Sequence, residues 1–247
     1  MTNRFDGRTV VITGGATGLG FGAAERFVAE GATVYLAGRR EPELAAAAER
    51  LGTAVTTVQA DVTQNEDLDR LYATVAEGSG RVDVIVANAG RPSFGIIGSY
   101  TGDELDESFA LNLRGLTFTV QKGLALMQSG GAVVLVSSIE GGRGTAGLGA
   151  YGAMKAAQQS MARTWANELR ERRIRVNAIS PGVVYTPAYE TAGMSRVQAE
   201  GIVPMIPAGR LGLESEVGAA IAFLASDDAS FVNGTNLVVD GGQTAVV

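Results

Sequence analysis

A tyrosine and a lysine four positions apart, Tyr151 and Lys155, carry the clearest chemical signal in the chain. They open a stretch of helical periodicity over residues 151–170, and a spacing of four puts both side chains on one helix face. Lysine is otherwise scarce, Lys122 being the second of two. A free phenol, with a pKa near ~10, is a poor base at neutral pH. A neighbouring ammonium stabilises the phenolate, so Tyr151 is expected to move toward the range in which a side chain exchanges protons efficiently. Such a pair gives a proton to a developing alkoxide when a carbonyl is reduced and takes it back in the reverse direction. Ser138, 13 residues upstream of Tyr151, adds a hydroxyl that can donate to an oxygen on which charge develops. Strand alternation favours it over Ser137 for that position.

These groups need a frame, and the N-terminal segment shows its plan. An apolar run at Thr9–Thr13 meets a glycine-rich turn, then a helical pattern over residues 18–30, then a second apolar run at 33–37, which is a βαβ unit. In the turn, Gly14, Gly18 and Gly20 let the backbone approach a ligand, and the unpaired N–H groups and dipole of the following helix favour a pyrophosphate. Further strand-like runs fall at residues 55–60, 82–87, 132–137, 174–179 and 236–239, giving about seven strands. The early runs are continuously apolar, as parallel strands buried on both faces are. The expected fold is therefore α/β: a three-layer, doubly wound parallel sheet with a nucleotide crevice at the carboxyl ends of its strands. No repeat or linker divides residues 1–247, so one domain is expected. Long helices are expected over residues 105–127 and 151–170.

The chain has neither cysteine nor histidine, which excludes disulfides, thiolate or imidazole metal sites and Cys- or His-based catalysis. No metal is expected. A net charge of -6 argues against a nucleic-acid surface and leaves a small molecule as the expected partner. No apolar run reaches the roughly 18 to 20 residues that span a bilayer, and the N-terminus has no export pattern. A soluble, cytoplasmic protein is expected, with no membrane partner.

The spacing T-G-x-x-x-G-x-G over residues 13–20 resembles the fingerprint of the short-chain dehydrogenase/reductase family. The resemblance runs on in order through Asp61-Val62, Asn88-Ala89-Gly90, Asn112, Ser138, Tyr151-x-x-x-Lys155, Pro181-Gly182 and Thr186. It implies an NAD(P)(H)-dependent oxidoreductase that interconverts a ketone or aldehyde and an alcohol, with Tyr151 as general acid and base. Lys155 is implied to hydrogen-bond the nicotinamide ribose, and Asn112 to hold a water that links Lys155 to solvent. Gly14, Thr17, Gly18, Leu19 and Gly20 form the implied phosphate turn. Asp61 and the Val62 backbone are implied to bracket the adenine, and Asn88, Ala89 and Gly90 to line a ribose. Pro181, Gly182, Val184 and Thr186 are implied to hold the carboxamide. Residues 183–210 are an implied substrate lid, and the two long helices an implied homotetramer interface.

An NAD enzyme would place a carboxylate after the second strand, against the ribose 2′-hydroxyl. This chain has Gly38 there, followed by Arg39 and Arg40, whose guanidinium groups suit a 2′-phosphate. NADP(H) is thus favoured over NAD(H), although Thr17 stands where many NADP members carry a basic residue. Tyr185, Tyr189, Met194, Ile202, Met205 and Ile206 in the lid suggest a modestly hydrophobic carbonyl or alcohol substrate. Glu140, two residues after Ser138, is expected on a surface loop, the alternative being that it faces the pocket and favours a hydroxylated substrate. Two alternatives stand beside this reading. One is a catalytically silent NADP-binding regulator; the other is a 3-oxoacyl-[acyl-carrier-protein] reductase whose carrier docks on Arg143 or Arg172.

Overall fold

The apolar runs pair side by side as one parallel sheet in the computed structural model, which describes residues 3–246. The strands are β1 (Thr9–Thr13), β2 (Thr33–Gly38), β3 (Val55–Gln59), β4 (Val82–Ala87), β5 (Met127–Val136), β6 (Arg175–Pro181) and β7 (Asn236–Val239). Their order across the sheet is β3-β2-β1-β4-β5-β6-β7. The helices in the first half are α1 (Gly18–Ala29), α2 (Glu41–Leu51), α3 (Asn65–Gly78), α4 (Gly102–Phe109) and α5 (Leu116–Gly123). After them come α6 (Gly149–Glu168), α7 (Pro187–Thr191), α8 (Arg196–Glu200) and α9 (Glu214–Ala225).

Alternation along each strand divides the apolar residues between two cores. Val10 and Ile12 of β1 pack with Val34 and Leu36 of β2 under Phe27 of α1 and Ile221 of α9. Val11, Tyr35 and Ile85 face the opposite way, under Leu71 of α3 and Val120 of α5. β1 and β4 are buried along their whole length, as two-sided coverage requires. The strand order reverses between β1 and β4, and that reversal opens a crevice at their carboxyl ends.

One expected element is different. The helix anticipated over residues 105–127 runs instead from Gly102 to Gly123: α4, to Phe109, passes through a wide π-type turn at Ala110–Gly115 directly into α5, which stops at Gly123. Glycines at the π-type turn and at the end of α5 pack closely on residues distant in sequence. A side chain at Gly115 would meet the Val62 carbonyl oxygen at 2.9 Å, and one at Gly123 would meet the Tyr72 hydroxyl at 2.6 Å. Met127 accordingly begins β5, five residues before the expected start of that strand at Ala132. Among the described residues no helix is long and apolar enough to cross a membrane.

Candidate active site

The crevice is built first by hydrogen bonds that tie β1 to β4. The Asn88 amide donates to the carbonyls of Thr13 and Gly14 at 2.9 and 3.0 Å, and the Thr13 hydroxyl accepts from the Asn88 and Ala89 backbone. The glycine turn lies against this clamp. Gly18 has a φ of +60°, and Thr186 sits so close that an added Cβ would come within 3.2 Å of it. Thr17 makes no side-chain cap at the start of α1, which leaves the first-turn N–H groups available to an anionic ligand. A pyrophosphate fits this donor set. Gly14, Thr17, Gly18 and Leu19 line the cleft. Gly20 lies behind them, packed on the Gly14 carbonyl and the Asn88 amide, and so supports the turn from outside the lining.

At the far end of the cleft Arg39 and Arg40 follow β2, and Pro42 occupies the first turn of α2 as its fixed φ suits. Both guanidinium groups have acidic neighbours. Arg40 pairs with Glu43 at 2.8 Å and Arg39 stands 3.8 Å from Asp61. Asp61 uses its other oxygen to accept from the backbone and hydroxyl of Thr63, which fixes the loop after β3. Val62, Ala89 and Gly90 line the wall between this end and the catalytic groups. Pro181, Gly182, Val184 and Thr186, at and after the end of β6, form the opposite wall.

Ser138, Tyr151 and Lys155 meet on the cleft where β5 ends and α6 begins. Lys155 is buried, and its amine donates to the Val136 carbonyl at 2.8 Å and to Gln158 Oε1 at 3.2 Å. It lies 5.5 Å from the centre of the Tyr151 ring. Burial overturns the electrostatic expectation for this pair. Desolvation pushes the Tyr151 phenol above its ordinary value, with Tyr189 adding to the rise, Ser138 opposing it and Glu140 adding further. The same burial pushes Lys155 down to about 7, so less positive charge stands beside the phenol than the sequence suggests. Tyr151 therefore holds its proton at neutral pH, the form a proton donor needs.

Asn112 is buried behind Lys155 in the π-type turn and does not line the cleft. Its amide oxygen accepts from the Arg91 backbone at 3.2 Å, and its amide nitrogen donates to the Ser108 carbonyl at 3.1 Å. Its backbone carbonyl accepts from the Gln158 amide nitrogen. Glu140 also departs from expectation: it is half-buried, and its Oε2 is buried with no hydrogen-bond partner among the described residues. Its charge contributes to the rise of Tyr189 to about 12, behind the larger effect of burial. Arg172 does not face the cleft as a docking group. It donates to the backbone carbonyls of Leu124 and Met127, closing the turn into β5.

Two neighbours of the site are missing from the motif reading. Gln158 reaches Lys155, while Gln159 donates to the Ser137 hydroxyl, the Ser138 carbonyl and the Ser180 hydroxyl, pinning α6 to the ends of β5 and β6. Their spacing was the available signal. Positions three and four beyond Lys155 lie on its own helix face, where long amides turn toward the sheet.

Comparison with known proteins agrees with this frame. The family model described as Enoyl-(Acyl carrier protein) reductase matches residues 14–244. An oxidoreductase of Sarocladium schorii, asL5, is 44% identical over 246 residues, covering 98% of both chains. The NADP-dependent (R)-specific alcohol dehydrogenase of Lentilactobacillus kefiri is 33% identical, across 99% of this chain and 100% of its own. Among solved structures, a short-chain dehydrogenase/reductase of the glucose/ribitol dehydrogenase type from Brucella melitensis superposes with a TM-score of 0.93. That match has 31% identity and covers the whole of both chains. By sequence, fold and site order, the chain belongs to the short-chain dehydrogenase/reductase family.

Proposed function

We propose that this chain is an NADP(H)-preferring oxidoreductase that interconverts a ketone or aldehyde and the corresponding alcohol. The observation that carries the reading is the meeting of Ser138, Tyr151 and Lys155 on the same cleft as the uncapped start of α1. The bound nicotinamide supplies or accepts a hydride. Tyr151 gives its phenolic proton to the carbonyl oxygen as negative charge grows there, and Ser138 donates a second hydrogen bond to that oxygen. Lys155 sets the electrostatic environment of the phenol and would hold the ribose of a bound nicotinamide nucleotide. In the oxidising direction Tyr151 takes the proton back, and it must first be a phenolate.

That requirement gives the proposal a pH test. The buried phenol titrates above its ordinary range, so alcohol oxidation should rise about tenfold per pH unit from about pH 6 to about pH 9, provided the chemical step limits the rate. Ketone reduction, which uses the protonated phenol, should change through neutral pH only as the Lys155 amine, lowered to about 7, loses its charge. Rates in both directions over that range check this, and an oxidation rate independent of pH contradicts it.

The cofactor preference rests on Arg39 and Arg40, held at the cleft by Asp61 and Glu43 without a carboxylate at Gly38. A 2′-phosphate adds charge-assisted hydrogen bonds worth ~1.5–3 kcal/mol each. Arg39→Ala should therefore weaken NADPH binding by about ten- to a hundredfold and leave NADH within about twofold. Equal losses for the two nucleotides in a fluorescence titration would remove the phosphate contact.

The segment over residues 183–210, which carries α7 and α8, is proposed as the substrate lid, with Tyr189 on its inner face. The exposed Leu105 and Phe109 on α4 support assembly into a homotetramer, which a mass measurement in solution decides.

A further inference from the structure

Behind the catalytic pair lies a buried amide that the proposed chemistry has not used. Gln158 has no exposed surface, and both ends of its side chain are engaged. The nitrogen end donates to the backbone carbonyl of Asn112, and the oxygen end accepts from the Lys155 amine at 3.2 Å. The orientation is forced. A carbonyl can only accept and a lysine amine here donates, so reversing the amide would lose both bonds and set oxygen against oxygen.

We infer that Gln158 is a positioning residue for Lys155, fixing the amine between α6 and the π-type turn so that one N–H remains to face Tyr151 and the cleft. The inference rests on the oxidoreductase reading of the cleft. It follows from counting donors: a protonated amine has three N–H groups, and the Val136 carbonyl and Gln158 Oε1 take two of them. Gly90 adds a third constraint, because a Cβ there would come within 3.5 Å of the amine and 2.8 Å of Asn112 Oδ1.

The groups packed around the amine are the Val136 carbonyl from β5, the Gly90 backbone after β4, Asn112 from the π-type turn, and Gln158 and Tyr151 from α6. Of these Tyr151 titrates; a side-chain amide does not in the ordinary pH range. Gln158 therefore orients Lys155 with constant strength and carries no proton itself. It also occupies the Asn112 carbonyl, so Lys155 reaches that residue through an amide.

The two lysines of the chain make the test direct. With ¹³C at lysine Cε, Lys155 and the half-buried Lys122 give separate signals, the second serving as an internal reference. Gln158→Leu and Gln158→Met both remove the acceptor and put an apolar side chain of similar bulk in its place. In a buried site the charged amine then loses a partner, so the Lys155 midpoint, about 7 in the wild type, should fall by about half a unit or more. Turnover should drop about tenfold or more while KM for the carbonyl substrate stays within about twofold. Gln158→Met, unbranched and close in length, carries the test if Gln158→Leu does not fold. A folded variant with the wild-type Lys155 midpoint and wild-type turnover overturns the inference; a loss of thermal stability alone, with both unchanged, does the same. Wild-type protein that reduces no carbonyl compound with NADPH would instead defeat the oxidoreductase reading, and the lysine midpoint would still decide the role of Gln158.

Discussion

Tyr151→Phe should lower turnover by ~10²–10⁴-fold while NADPH binding stays within about twofold of wild type. The substitution keeps the ring and its packing on the cleft wall, and removes only the hydroxyl that faces the carbonyl oxygen. By the transition-state relation that loss corresponds to ~3–5 kcal/mol of barrier. Ser138 remains, but a serine hydroxyl that donates a hydrogen bond without giving up its proton stabilises the oxygen and does not complete the reduction. Steady-state rates and a nucleotide titration on the same preparation make the check. Near-normal turnover by Tyr151→Phe would move the proton donor elsewhere, and Tyr189, the other phenol on the cleft, would be the first to examine.

The second large effect is expected at Gly20, where no reacting atom is present. A Cβ there would overlap the Gly14 carbonyl oxygen and stand 2.6 Å from the Asn88 amide nitrogen. Neither can yield easily, because that amide is bonded to Thr13 and Gly14 and joins the ends of β1 and β4. Gly20→Ala should cost ~1–3 kcal/mol of stability through overpacking. For a chain of this size that is a melting temperature lower by ~2–4 °C per kcal/mol. Displacing the turn misdirects N–H groups aimed at the pyrophosphate, so NADPH affinity should fall about tenfold or more. Gly102→Ala is the control: nothing lies within 4 Å of its added Cβ, and it should leave binding unchanged and the melting temperature no lower than wild type. Unaltered melting and binding in Gly20→Ala would mean that the clamp behind the turn has slack that the packing does not show.

The fold was legible because its information is local. β1, β2 and β4 announce themselves as continuous apolar runs, and the turn before α1 as a glycine cluster placed between strand and helix. Tyr151 and Lys155 were legible for a similar reason, since helix geometry alone puts positions four apart together. What escaped depends on partners distant in sequence. The wide turn between α4 and α5 packs its Gly115 on Val62, and the end of α5 packs Gly123 on Tyr72; nothing in residues 105–127 names either partner. The bond from Gln158 to Asn112 spans 46 positions, and the ion pairs of Arg39 with Asp61 and Arg40 with Glu43 depend on how the loops after β2 and β3 settle. The proton affinities of Tyr151 and Lys155 were misjudged in the same way. Spacing reveals that an amine is near a phenol, whereas desolvation is a property of the surrounding packing and here outweighs it.

The central claim is a hydride delivered to a carbonyl carbon as Tyr151 protonates the oxygen, and an isotope label follows it most directly. The chain would be incubated with a panel of ketones and aldehydes and with NADPH carrying deuterium on both positions of nicotinamide C4. The expected product is an alcohol with one deuterium on the carbinol carbon, formed by the wild type and reduced by orders of magnitude in Tyr151→Phe. Tight NADPH binding with no deuterated alcohol from any member of the panel would contradict the claim and leave a nucleotide-binding protein without this chemistry.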